Sequence, residues 1–154
     1  MSQALETIDV TTGRARQIIG KRCKTCYTSE MSPKKHILVV EDEKALSHAL
    51  TLKLTNAGYD VTHIDNGEEA LRVVMEEQFD LILLDILMPK MDGFSMLAEL
   101  KENGKSRNQK IIVLSSLGSP QDMERAKTLG ASEYLVKTHY PIATIVDKVN
   151  TLLQ

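Results

Sequence analysis

At four places in this 154-residue chain a chemically capable side chain directly follows a short apolar run. Ile37–Val40 leads into Glu41-Asp42-Glu43, Leu81–Leu84 into Asp85, Ile111–Leu114 into Ser115-Ser116, and Tyr134–Val136 into Lys137. Taken singly, each has an ordinary explanation. An aspartate after a strand is commonly a turn or cap residue, so Asp42 could cap the helix that follows. Ser115 alone reads as a loop hydroxyl and Lys137 alone as a solvated charge. Together they bring acids, a hydroxyl and an ammonium to one edge of a sheet, and four such coincidences are improbable. Converging carboxylates repel, which raises their pKa and costs stability unless a cation joins them. A hard ion such as Mg²⁺, held by two carboxylates and several waters, relieves the repulsion and leaves positions for a phosphate. Asp85 is then placed to act as a nucleophile and form an aspartyl-phosphate. The metal, the Lys137 ammonium and the Ser115 hydroxyl would stabilise charge on the transferred phosphoryl oxygens.

The elements that must position these groups are legible in the apolar pattern. Ile37–Val40, Val61–Ile64, Leu81–Leu84, Ile111–Leu114 and Tyr134–Val136 are short, and most are apolar on both faces, as buried parallel strands are. Helical spacing separates them. Leu46, Ala49, Leu50 and Leu54 run to a stop at Asn56-Ala57-Gly58, and Ala70, Leu71, Val74 and Met75 follow Asn66-Gly67. Phe94, Leu97 and Leu100 follow Asp92-Gly93, and Met123, Ala126 and Leu129 end at Gly130. Ile142, Ile145, Val149 and Leu153 close the chain after Pro141, which reads as a first helical residue. The expectation is an α/β fold, a (βα)₅ doubly wound parallel sheet with right-handed crossovers. In such sheets functional groups gather beyond the carboxyl ends of the strands, where the groups named above fall.

Charge divides the chain. Residues 1–35 carry seven of the 19 Lys/Arg but three of the 21 Asp/Glu, so the front is basic and the remainder acidic. An acidic body argues against nucleic-acid binding through this domain. No apolar run approaches the ~18 residues of a membrane span, and no secretory signal opens the chain, so a cytoplasmic location without membrane attachment is expected. Residues 1–35 lack a sustained apolar period and are expected to form a flexible extension to a domain over 36–154. Within them, Gly13–Gly20 is a candidate for a turn or two of helix, and Met31 sits where a natural start would. Cys23 and Cys26 form a lone C-x-x-C without the second pair that a structural zinc site needs, and are read as incidental.

The combination Val39-Val40-Glu41-Asp42, Asp85-Ile86-Leu87-Met88-Pro89, Met91-Asp92-Gly93, Ser115-Ser116 and Gly130-Ala131-Ser132-Glu133-Tyr134-Leu135-Val136-Lys137 resembles the receiver domain of bacterial response regulators. The resemblance spans residues 36–154. It implies a flavodoxin-like sheet of order 2-1-3-4-5 and a phosphoacceptor at Asp85 supplied by a histidine kinase or phosphotransfer protein. It further implies Mg²⁺ bound by Asp42 and Asp85 directly, by Glu41 through water and by the Leu87 carbonyl. Ser115 and Lys137 would grip the phosphoryl group. Inward movement of Ser115 would let Tyr134 rotate and reshape the face formed by the fourth helix, fifth strand and fifth helix, which an unidentified downstream protein would read. Three positions depart from the family's habit: Glu41 stands where Asp is commoner, Ser115 replaces a frequent Thr, and Thr138 replaces the Pro that usually follows the lysine. A non-proline cis bond costs about 2.5–4 kcal/mol, so the Lys137–Thr138 bond is expected to be trans.

Other functions fit less well. A phosphatase of the haloacid dehalogenase type needs a second Asp two residues beyond the nucleophile, where Leu87 stands. A flavin carrier needs a Ser/Thr/Gly-rich loop after the first strand, and Glu41-Asp42-Glu43 would repel its phosphate. The expected class is therefore a signalling switch rather than an enzyme, with Mg²⁺-dependent self-phosphorylation and slow autodephosphorylation as its chemistry. The chain stops at Gln154, directly after the last helix, which suggests a stand-alone receiver; a fragment of a longer regulator is the alternative. Leu87 and Leu117 lie two residues beyond the acceptor and the hydroxyl, positions that flank the path of an attacking water. Apolar side chains there cannot orient that water. Leu87→Asn is expected to shorten the lifetime of the phosphoryl group severalfold, and equal or slower loss of label from the variant would count against this.

Overall fold

The computed structural model describes residues 33–154 and two short strands, Glu6–Ile8 and Ala15–Gln17, which pair antiparallel with Thr7 opposite Arg16. Residues 1–32 and 33–154 are separate compact units. Strand structure at Ala15–Gln17 corrects the helical turn expected within Gly13–Gly20. A helix this short gains too few hydrogen bonds to offset nucleation, whereas an extended backbone can pair with a neighbour. The expected flexibility of the extension and the Cys23–Cys26 pair lie outside the described residues.

In the second unit strands and helices alternate. The strands are β1 (His36–Val40), β2 (Asp60–Ile64), β3 (Leu81–Asp85), β4 (Lys110–Ser115) and β5 (Glu133–Val136). The helices are α1 (Lys44–Asn56), α2 (Gly67–Glu76), α3 (Gly93–Glu102), α4 (Pro120–Thr128) and α5 (Ile142–Leu153), with a 3₁₀ turn at Lys105–Arg107. All strand pairs are parallel and the order is β2-β1-β3-β4-β5. This is the expected 2-1-3-4-5 doubly wound sheet.

Alternation along each strand builds two cores. Ile37 and Val39 of β1, Leu81 and Leu83 of β3, and Ile112 and Leu114 of β4 pack with Leu50 and Leu54 of α1 and Ile145 and Val149 of α5. Leu38 and Val40, Ile82 and Leu84, and Ile111 and Val113 face the other way. There they meet Ala70 and Val74 of α2, Phe94, Leu97 and Leu100 of α3, and Ala126 of α4. The edge strand β2 is an exception to two-faced burial, because Asp60 and His63 are exposed and Ile64 alone is buried. Among its nine residues α4 likewise buries Ala126 alone.

Caps start the helices where the sequence changes period. Asn66 accepts the Glu69 amide at 2.9 Å, Asp92 the Ser95 amide at 2.9 Å, and Ser119 the Asp122 amide at 3.1 Å. Two readings are corrected. Glu43, not Asp42, occupies the N-cap of α1 and makes no side-chain cap bond, which leaves the Asp42 carboxylate uncommitted to the helix. Pro141 is the N-cap of α5 rather than its first helical residue: its ψ of 156° is extended, and its carbonyl accepts the Thr144 amide at 2.9 Å. The Lys137–Thr138 bond is trans, since no cis bond occurs among the described residues.

Asp80, just before β3, fastens the far end of the sheet. Its carboxylate accepts the His36 amide at 2.8 Å and the Lys35 ammonium at 3.1 Å. Burial alone would raise its pKa, but these partners outweigh burial and hold the carboxyl below its ordinary range. A depressed folded-state pKa contributes stability that is present above the unfolded value of about 3.9 and is lost as pH falls through the folded one. Asp80→Ala is expected to cost about 0.5–1 kcal/mol at pH 7, because the group is partly exposed. Urea melts of wild type and variant should converge as pH drops below about 4; a gap that persists unchanged in acid would refute the assignment.

Candidate functional site

Parallel register sets the site. Val40 pairs with Leu84, Asp85 with Leu114, and Ser115 with Val136, so β1, β3, β4 and β5 end side by side. Glu41, Asp85, Ser115 and Lys137 are the final residues of these strands or the first beyond them. Asp85 and Ser115 fall inside their strands, because pairing continues one residue past the apolar runs that mark them in the sequence.

Glu41, Asp42 and Asp85 each offer a carboxylate oxygen, and these oxygens lie within 4.8 Å of one another. Glu41 and Asp85 are buried and Asp42 is exposed. Lys137 reaches in from β5, with its Nζ 2.8 Å from Asp85 Oδ2 and 2.7 Å from Glu41 Oε2. The contact to Asp85 is an aligned hydrogen bond, whereas that to Glu41 Oε2 is a charge contact that leaves this buried oxygen without a hydrogen-bond donor. Asp85 Oδ1 accepts the Leu87 amide at 3.2 Å.

Burial raises the Glu41 carboxyl above its ordinary pKa and the nearby Asp85 charge adds to this, against the lowering influence of Lys137. For Lys137, burial alone would lower the ammonium, but the hydrogen bond to Asp85 and the charges of Asp85 and Glu41 raise it. The three oxygens suit a hard divalent cation: they are carboxylates and they converge. Asp42 and Asp85 stand beside Glu41 in this cluster.

The hydroxyl side is built around one backbone unit. Ser115 is fully buried, and its Oγ accepts the Leu117 amide at 3.1 Å. The Leu117 carbonyl accepts the Tyr134 hydroxyl at 2.8 Å. Burial raises the Tyr134 phenol above its ordinary pKa. The Lys137 amide donates to the Ser115 carbonyl at 2.9 Å, tying β5 to β4 at the edge. Every residue expected at the site is thus located at this edge, with Leu87 exposed beside it and Tyr134 one connection away.

Two glycines that carry no chemistry shape the surroundings. A Cβ on Gly93, the first residue of α3, would lie 2.4 Å from the Asp85 carbonyl oxygen and 2.8 Å from Ile86 Cα. A Cβ on Gly67, the first residue of α2, would lie 2.5 Å from the Met91 carbonyl oxygen. Both helices therefore begin pressed against the segment Asp85–Met91. The Asp92-Gly93 and Asn66-Gly67 steps were legible as helix starts, but nothing in their spacing reveals the close approach.

Comparison with known proteins agrees with this architecture. The family model of the response regulator receiver domain matches residues 37–150, and the chain belongs to that family. A probable transcriptional regulator, ycf27 of Guillardia theta, is 35% identical over 116 residues, covering 75% of this chain and 44% of that protein. The chain spans about half the length, or less, of the curated relatives it matches. Among solved structures, the Francisella response regulator 1452 receiver domain aligns with a TM-score of 0.72 at 29% identity, covering 78% of this chain and 97% of that one. The Thermotoga maritima response regulator TrrA, solved in complex with Mg²⁺-BeF, aligns with a TM-score of 0.66 at 34% identity, covering 77% of this chain and 99% of that one.

The contacts of Lys137 generate a stability test. A lysine with a raised folded-state pKa contributes stability that is fully present below the unfolded value of about 10.4 and lost only above the folded one. Lys137→Met in EDTA should therefore be less stable at neutral pH by about 1.5–3 kcal/mol, the scale of a hydrogen bond to a charged group. Without the ammonium the Glu41 carboxyl is raised further, so the deficit should grow as pH rises above the ordinary carboxylate range. Thermal melts showing a deficit independent of pH would mean that Lys137 contributes packing rather than charge.

Proposed function

We propose that residues 36–154 form a phosphoacceptor switch in two-component signalling, with Asp85 as the acceptor. The observation that carries this reading is the buried Asp85 carboxylate, held by the Leu87 amide and the Lys137 ammonium beside two further acids. A carboxylate oxygen of Asp85 attacks the phosphorus of a phosphohistidine on a histidine kinase or phosphotransfer protein. The new O–P bond forms as the P–N bond breaks, and the electron pair leaves with the imidazole, which takes up a proton. Asp42, Asp85, the Leu87 carbonyl and, through water, Glu41 would hold Mg²⁺, which would supply positive charge to offset repulsion between the carboxylates and the incoming phosphoryl oxygens.

The chain's own groups do the rest. Lys137 is already drawn to Asp85 Oδ2 and needs only a small rotation of its flexible stem to meet a phosphoryl oxygen. Ser115 Oγ, now an acceptor for the Leu117 amide, can donate its proton to another. That turn breaks the Leu117 contact, and the Leu117 carbonyl carries the Tyr134 hydroxyl bond with it. Ser115 and Tyr134 are thereby coupled through the backbone of one residue, Leu117, and the α4–β5–α5 face would change with them. Switching, rather than turnover of a substrate, is the outcome, so the domain is not an enzyme in the ordinary sense.

The partners on this reading are a kinase or phosphotransfer protein upstream and an unidentified protein at the α4–β5–α5 face downstream, all in the cytoplasm. No helix among the described residues is long and apolar enough to cross a membrane. A receiver working within a longer regulator is supported by the greater length of the transcriptional regulators it resembles.

Incubation with acetyl phosphate and Mg²⁺, followed by intact-mass measurement, tests the assignment. Wild type should gain one phosphoryl group, and Asp85→Asn or EDTA should abolish the gain. Labelling that survives in the variant, or that proceeds equally well in EDTA, would overturn it.

A further inference from the structure

His63 is not among the residues that the family pattern singles out, yet it touches the site. It lies on the edge strand β2, paired with Val39 and exposed to solvent. At the end of β1 the ladder to β2 continues one step further, where the Glu41 amide donates to the Ile64 carbonyl at 3.1 Å. The next acceptor along β1, the Glu41 carbonyl, is met by a side chain instead, with His63 Nε2 2.8 Å away. A carbonyl can only accept, so Nε2 carries the proton in this contact whether the ring is neutral or charged.

The Glu41 carbonyl belongs to the peptide unit that joins Glu41 to Asp42. A planar peptide has no internal freedom, so fixing its carbonyl also fixes the direction in which Asp42 leaves the strand. On the other side of the same residue, the Glu41 side chain is committed to Lys137. Both peptide groups of Glu41 are therefore anchored, its carboxylate meets Lys137 and accepts the Glu43 amide at 3.2 Å, and the anchor of the Glu41–Asp42 peptide carbonyl is the imidazole. Asp42 has no helix cap to hold it, since Glu43 takes that position without a side-chain bond.

We propose that His63 is a positioning residue for the acidic pair: its Nε2–H bond to the Glu41 carbonyl orients the Glu41–Asp42 peptide and so tightens divalent-ion binding at the Asp85 site. This rests on the metal site proposed above. The requirement is for an N–H donor at that distance. Leucine at position 63 removes the donor while keeping an apolar body on the strand, and glutamine retains an amide N–H able to reach the carbonyl.

The test compares wild type, His63→Leu and His63→Gln by calorimetric titration with Mg²⁺ and by the Asp42 amide resonance in EDTA. His63→Leu should weaken Mg²⁺ affinity about three- to tenfold, the fold-change that corresponds to one net hydrogen bond. Its Asp42 amide should shift or broaden in EDTA, and His63→Gln should restore both readouts to near wild type. Wild-type behaviour of His63→Leu in both measurements overturns the proposal, as does a loss in His63→Gln as large as in His63→Leu. Wild-type protein that binds no Mg²⁺ would instead overturn the metal site itself, and this proposal with it. The Asp42 resonance and the thermal melts in EDTA distinguish a local reorientation, which leaves the melting temperature nearly unchanged, from general destabilisation, which would also overturn the assignment.

Discussion

The carboxyl edge of the sheet depends on an unequal charge balance: three converging carboxylates share one ammonium. Lys137 lies within contact of two of them at once, and the excess negative charge suits the site to a further cation. Buried ion pairs of this kind are a poor route to stability, because desolvation cancels much of the attraction. Their value lies in being rearranged. An ammonium held between two acids can exchange one partner for a phosphoryl oxygen without leaving its pocket, so the resting contacts and the proposed liganded contacts use the same atoms.

Everything else at the edge serves to keep these groups in register. Parallel pairing fixes the ends of β1, β3, β4 and β5 relative to one another to within one residue, and a one-residue slip would turn each acid to the opposite face. The two apolar layers pin the strands from both sides, so the polar residues at their ends inherit a rigid frame. Gly93 and Gly67 allow α3 and α2 to start in contact with the loop beyond Asp85, which leaves that loop little room to wander.

Much of this was legible in the sequence, because side-chain chemistry and apolar periodicity report directly on buried strands and their ends. Asp85, Ser115 and Lys137 stood out because each interrupts an apolar run. The strands are slightly longer than those runs, since backbone pairing does not stop where hydrophobicity does; hence His36, Asp60, Lys110 and Glu133 join at the front ends. Contacts made by backbone atoms were invisible. Nothing about Leu117 announces that its amide and carbonyl link Ser115 to Tyr134, and nothing about Gly93 announces the Asp85 carbonyl against it. Pro141 was placed one residue too far into its helix because proline suits both the cap and the first turn, and only ψ tells them apart. His63 escaped notice for a related reason: an exposed histidine on an edge strand has no sequence signal for the carbonyl it meets.

The scant burial of α4 has a mechanical consequence. A helix that fully buries Ala126 alone is held by less apolar burial than α1, α2, α3 or α5. Displacing it costs less apolar contact than displacing α3, which buries Phe94, Met96, Leu97 and Leu100. A disturbance of the backbone at Leu117, four residues before Gln121 in the first turn of α4, would therefore meet little apolar resistance in the element next along the chain. The frame that holds the acids is packed on both faces, and the helix next along the chain from Leu117 has little buried apolar surface to keep it in place.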